Sequence, residues 1–146
     1  MILLDTNVVS ETMRLSPDPT LVAWLNAQVA ETIYLSTVSL GELLLGIAIL
    51  PDGRRKADLA SVLAERMAAM FGPRMLDFDV PSAWAYASIV SKARAEGRAI
   101  GLADGLIAST AATTVHGLAI ATRDTRPLAA AGVPVLNPWR ESRGRN

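Results

Sequence analysis

The chain alternates short, mainly apolar runs with longer stretches of helical periodicity. Ile2 to Leu4 is apolar throughout and stops at Asp5, and Ile33 to Val38 is largely β-branched and apolar. Met75 to Phe78, Leu118 to Ala121 and Val133 to Leu136 are further short runs. A continuous apolar run of this length reads as a strand buried on both faces, because a half-exposed strand would alternate. Between the runs, apolar residues recur three or four apart. One helical stretch is expected from Val8 to about Met13. Another follows the break at Ser16-Pro17-Asp18-Pro19, with Leu21, Val22, Leu25 and Val29 at helical spacing. Ser39 is a candidate N-cap with Glu42 three residues later, the capping-box spacing, for a helix running to about Leu50. Arg54 to Phe71, Pro81 to Arg94, Leu102 to about Val115 and the short Leu128 to Ala131 complete the helices. Strands that alternate with helices predict an α/β domain with a mainly parallel sheet. Ligands of such sheets gather outside the carboxyl ends of the strands.

Length and composition limit what this domain does. A chain of 146 residues, 51% of them hydrophobic, fits one domain with a real core. That domain is expected over residues 1–140, with 141–146 a polar tail. The formal net charge is zero, so any nucleic-acid contact relies on local patches and not on overall basicity. Cysteine is absent, which excludes disulfides, Cys-based zinc sites and thiol catalysis, and fits a reducing, cytoplasmic setting. No stretch has the length and apolarity of a membrane span, and the start lacks the pattern of a signal peptide.

Four acids stand where this fold places its ligands. Asp5 directly follows the first run, Glu42 comes soon after the second, and Asp124 follows the run Leu118–Ala121 within a few residues. Asp104 sits in an apolar helix among Leu102, Ala103, Leu106 and Ile107, where a lone carboxylate is costly to bury. Each has a structural reading as well: Asp5 as a helix cap, Glu42 as the capping-box partner of Ser39, Asp124 as a turn residue. Together they fit a divalent-metal site. Hydrolysis of a phosphodiester needs an activated water and compensation of charge on the attacking and leaving oxygens. Mg²⁺ or Mn²⁺, held by hard oxygen ligands, supplies both.

At these residues the sequence resembles the PIN-domain nucleases, especially the VapC-type toxins of bacterial toxin–antitoxin pairs. The matching segments are Met1-Ile2-Leu3-Leu4-Asp5-Thr6-Asn7-Val8, Val38-Ser39-Leu40-Gly41-Glu42-Leu43, Leu102-Ala103-Asp104-Gly105-Leu106-Ile107-Ala108 and Leu118-Ala119-Ile120-Ala121-Thr122-Arg123-Asp124, followed by Val135-Leu136-Asn137-Pro138-Trp139. The resemblance implies a three-layer α/β/α domain and an endoribonuclease that uses Mg²⁺ or Mn²⁺. Asp5, Glu42 and Asp104 would be its acidic core, Asp124 its weaker fourth position, and Thr6 a helper beside the first acid. It also implies a small cognate antitoxin that blocks the site, and a homodimer. Many relatives carry a further acid after the Asp124 position, where this chain has Thr125-Arg126-Pro127-Leu128.

Two other readings are weighed. A phosphatase of the haloacid-dehalogenase type also has an Asp after its first strand, but wants a second Asp two residues on, where this chain has Asn7. A non-catalytic interaction module would have lost a central acid, and none is lost. The apolar residues Leu43, Leu44, Leu45, Ile47, Ile49 and Leu50 read either as a core helix or as a patch covered by another chain. Arg54-Arg55-Lys56 reads as a solvated face, Trp24, Trp84 and Trp139 as packing residues, and His116 as a cap or surface residue. Arg94, Arg98 and Arg123 flank the acidic segments, and Arg123 is expected to bind phosphate or pair with an acid.

Overall fold

The computed structural model describes residues 1–113 and 117–141. Among them, five parallel strands make one sheet in the order β3-β2-β1-β4-β5. The strands are β1 (Ile2–Leu4), β2 (Ile33–Ser36), β3 (Met75–Leu76), β4 (Ala119–Ala121) and β5 (Val135–Leu136). The helices are α1 (Thr6–Thr12), α2 (Pro19–Asn26), α3 (Thr37–Ala48), α4 (Arg54–Met70), α5 (Val80–Ala95), α6 (Leu102–Thr113), α7 (Thr125–Ala130) and α8 (Pro138–Glu141).

The central runs β1, β2 and β4 are largely buried, as their composition requires, while the edge strands β3 and β5 are only partly buried. Successive residues of β1 point to opposite sides. Leu4 joins a core with Val8, Leu21, Trp24, Leu43, Leu63 and Phe71 from α1 to α4 and the segment after α4. Leu3 joins a second core with Ile107, Ala108 and Ala111 of α6, Ile120 of β4 and Leu128 of α7. One helical layer thus covers each face, which is the expected three-layer α/β/α arrangement.

The chain starts in the central strand, moves outward through β2 and β3, then crosses to β4 and β5 on the other side. The direction of winding therefore reverses between β1 and β4. That reversal leaves a crevice at their carboxyl ends. In register, Leu4 lies beside Leu35 on one side and Ala121 on the other. Asp5, Ser36 and Thr122 consequently come next along three neighbouring strands.

Several boundaries differ from the sequence reading, for local reasons. Strand β2 ends at Ser36 instead of Val38, because the Ser36 hydroxyl accepts the Ser39 backbone N–H at 2.9 Å and caps α3. The expected Ser39–Glu42 capping box is therefore not formed. Helix α1 starts at Thr6, two residues early, because Asp5 is its cap. Pro138–Glu141 is helical, so Glu141, the first residue of the expected polar tail, ends a helix. Residues 142–146 and His116 lie outside the described residues. Trp24 is buried as expected, but Trp84 is 75% exposed. The buried positions of α5 are Ser82, Val90 and Ala93, and Trp84 projects from a different face.

Helices α5 and α6 approach closely at Gly105. A Cβ there would stand 2.8 Å from Tyr86 Cε2 and 3.3 Å from Val90 Cγ2. Gly105→Ala should therefore force the helices apart and cost about 1–3 kcal/mol, as overpacking does. Urea denaturation would register the loss; an unchanged midpoint would mean that Tyr86 moves aside freely.

Candidate metal centre at the carboxyl edge of the sheet

Asp5 occupies the junction of β1 and α1 and is 7% exposed. Its backbone N–H donates to the Ala121 carbonyl at 3.0 Å, extending the β1–β4 ladder by one bond. Its Oδ1 accepts the Thr6 N–H at 2.7 Å. Its Oδ2 accepts the Thr122 hydroxyl at 2.7 Å and the Asn7 amide. An ionised carboxylate offers about four lone-pair directions. Capping and orientation thus leave acceptor capacity for something else. The cap reading and the site reading of Asp5 hold together, because different lone pairs serve each.

Glu42 lies in the second turn of α3, beyond the cap. It is half-buried, and its Oε2 accepts the Thr6 hydroxyl. Thr6 therefore ties two acids together, its N–H on Asp5 and its hydroxyl on Glu42. Asp104 sits in the first turn of α6. This helix leads into β4 and runs back across the sheet, so its N-terminus stands at the carboxyl edge with the other acids. Asp124 is exposed and takes the N-cap position of α7, yet its side chain makes no capping bond. Its backbone N–H donates to the Thr122 hydroxyl at 3.1 Å. The four expected acids lie close enough for the charges of Asp5, Glu42 and Asp124 to act on Asp104.

The electrostatics are those of like charges gathered together. Burial pushes the Asp104 carboxyl above its usual range, and the charges of Asp5, Glu42 and Asp124 push it the same way. Asp5 is also raised, mainly by burial. The Thr122 and Thr6 hydrogen bonds oppose that rise, and the Glu42 and Asp124 charges add to it. Arg123, the nearest basic residue in sequence, turns away to pair with Glu11 at 3.1 Å. Its guanidinium also lies 4.2 Å from the centre of the Trp139 ring. Arg98 pairs with Glu96, and Arg54 and Lys56 make exposed pairs with Asp58 and Asp52. Among the described residues, no group of three or more His, Cys, Asp or Glu is arranged to hold a metal ion as it stands. The donor chemistry nonetheless fits a hard cation: oxygen ligands of one sign, two of them held above their ordinary proton affinity.

Sequence reasoning passed over three residues that build this crevice. Thr122 follows β4 just as Asp5 follows β1, and that equivalence was its signal. Asn7 donates to Asp5 and to the Thr122 hydroxyl and accepts the Arg123 N–H, so the position where a phosphatase would need an Asp is used for scaffolding. Glu11 is 5% exposed and shares a face of α1 with the buried Val8, a pattern visible three residues apart.

A groove of about 880 Å³ adjoins the acids. Thr6 and Glu42 stand among its lining residues together with Met13, Leu43, Ile47 and Arg54. Leu44 and Leu45 of α3 and Ile49 just after it are exposed, while Leu43 is core and Leu40 and Ile47 pack against it. No helix among the described residues is long and apolar enough to cross a membrane.

A parallel α/β domain with acids gathered at its topological switch belongs to the open-sheet class that binds its ligands at that edge. The PIN domain family matches residues 2–133, and the chain belongs to that family. It is 46% identical over 141 residues to Toxin FitB of Neisseria gonorrhoeae, covering 97% of this chain and all of the relative. It is 42% identical over 139 residues to VapC ribonuclease Y4jK of Sinorhizobium fredii, covering 95% of this chain and 98% of the relative. The crystal structure of FitAcB from Neisseria gonorrhoeae superposes with a TM-score of 0.90 at 46% identity, covering 96% of this chain and 99% of that one.

The raised acids set a pH dependence with a definite sign. Folding favours their protonated forms, so the stability they contribute is fully present below the ordinary carboxylate range. It is lost as pH rises through the raised folded-state values. At neutral pH, without a cation, the ionised cluster opposes folding. Asp104→Asn should raise the metal-free melting temperature by a few degrees at pH 7 and by less at pH 4. A lowered melting temperature at pH 7 would show that Asp104 is held by favourable contacts.

Proposed function

We propose that this chain is a divalent-metal-dependent endoribonuclease, the toxin of a toxin–antitoxin pair, and that Asp5, Glu42, Asp104 and Asp124 are its site. The observation that carries the reading is the gathering of four acids, from separate segments of the chain, at the β1–β4 switch. Membership of the PIN domain family and high identity to a named VapC ribonuclease support it.

The residues divide the work. Asp5, Glu42 and Asp104 would hold the metal, Mg²⁺ or Mn²⁺, and Asp124 would complete the set. When bound, such an ion lowers the pKa of water and offsets charge on the phosphoryl oxygens. Thr122, Asn7 and Thr6 fix the Asp5 carboxylate through hydrogen bonds to both its oxygens. Thr6 also holds Glu42, so two acids keep their orientation relative to one hydroxyl-bearing residue. The burial of Asp5 excludes bulk water from one side of the crevice.

The antitoxin is proposed to lie in the groove beside Thr6 and Glu42. A partner segment with apolar side chains would cover Leu43, Ile47 and Leu50, and its end would reach the acids. Assembly as a homodimer belongs to the same reading, with exposed Val80, Trp84 and Leu102 as apolar surface open to it. A cytoplasmic location fits these roles, and residues 1–140 are taken as the whole nuclease domain.

Glu42→Gln and Asp104→Asn should each lower RNA cleavage by more than roughly a hundredfold, the upper end of what losing an outer-shell partner costs a metal site. Chelation should stop cleavage by the unaltered protein, and Mg²⁺ or Mn²⁺ should restore it. Cleavage that persists in chelator, or in both variants, would refute the assignment.

A further inference from the structure

Glu11 is a buried carboxylate with no place among the four acids, and its contacts lead straight to one of them. It lies near the end of α1, the helix that Asp5 caps. Its Oε2 receives Arg123 Nη2 at 3.1 Å and Arg14 Nη1 at 3.2 Å, and its Oε1 accepts the Asp18 N–H at 3.2 Å. Arg123 is flanked by Thr122, bonded to Asp5, and by Asp124. The Arg123 N–H donates to Asn7 Oδ1 at 3.1 Å, and its carbonyl accepts the Asn137 amide at 3.2 Å. The guanidinium lies over the Trp139 ring.

The segment 122–124 is therefore fastened to α1 at two points. Asp5 and Asn7 hold it through Thr122 and the Arg123 backbone, and Glu11 holds it through the Arg123 side chain. Asp124 needs such fastening, because its own carboxylate makes no capping bond. We propose that Glu11 is a positioning residue for Asp124, acting through Arg123. The proposal rests on Asp124 belonging to the metal site. Removal of the Glu11 charge frees a half-exposed guanidinium to hydrate elsewhere, and the loop that carries Asp124 loses its second anchor. Glu11→Gln keeps an oxygen for the Asp18 N–H, so the effect falls on the ion pair and spares the turn.

The test measures Mn²⁺ affinity by titration calorimetry on the full chain, with melting curves to confirm folding. Glu11→Gln should weaken Mn²⁺ binding about tenfold, within the range for residues that orient a ligand. In an Asp124→Asn background, the same change should have almost no further effect, because the residue it positions is gone. Arg123→Met should reproduce the tenfold loss, and Arg123→Lys should recover most of it. Unchanged affinity in Glu11→Gln, or an equal loss with and without Asp124, would overturn the proposal. If Asp124→Asn alone leaves affinity intact while Asp104→Asn weakens it, Asp124 is no ligand and the proposal falls, but the three-acid core stands. Absence of Mn²⁺ binding by the unaltered chain would overturn both.

Discussion

The parallel pairing of β1 with β4 is the constraint on which the site depends. It sets Leu4 beside Ala121, and so brings Asp5 and Thr122 to the same level at the edge of the sheet. One hydrogen bond from the Thr122 hydroxyl to Asp5 then joins segments 117 residues apart. A slip of one residue would turn every side chain of these short strands to the opposite face. Because Leu3 and Leu4 feed two different cores, such a slip would expose both. The fold's hydrophobic register and the site's geometry are therefore fixed by the same alignment.

The acids differ in how they are held. Asp5 is embedded: it caps a helix, ends a strand and accepts bonds on both oxygens. Glu42 is tethered by one hydroxyl. Asp104 stands in a first helical turn, its carboxyl raised by burial and further by its neighbours' charges. Asp124 is exposed and oriented by the loop that carries it. This gradient runs from structural necessity to functional liability, and neighbouring charges add to the rise of both Asp5 and Asp104. Under the proposed reading, a bound cation would offset the negative charge that these acids gather.

Much of this was legible in the chain because burial on both faces leaves a plain mark. The runs Ile2–Leu4 and Leu118–Ala121 announced central parallel strands; Asp5, Glu42 and Asp124 stood out by their distance from a strand end, and Asp104 by its apolar helix. Local capping chemistry was harder to read. Ser36 and Ser39 are both fully buried hydroxyl residues near the start of an apolar helix, and it is Ser36, at the end of β2, whose hydroxyl accepts the Ser39 N–H. Trp84 misled because an indole is usually packed, yet its angular position on α5 turns it from the buried line. Glu11 and Asn7 were passed over because the contacts that tie them to the Thr122–Arg123 segment span more than a hundred residues, a distance that no local pattern encodes.

The two ways of holding an acid also bear on how such a chain would age. Were cleavage no longer under selection, Asp104 would be among the first of the four to drift, since neutralising it relieves repulsion and disturbs few bonds. Asp5 would persist much longer, retained for the strand-to-helix junction it builds. An Asp after the first strand is thus a record of ancestry more than of activity. In any descendant of this chain, the residue at position 104 would be the better witness to whether the enzyme is still alive.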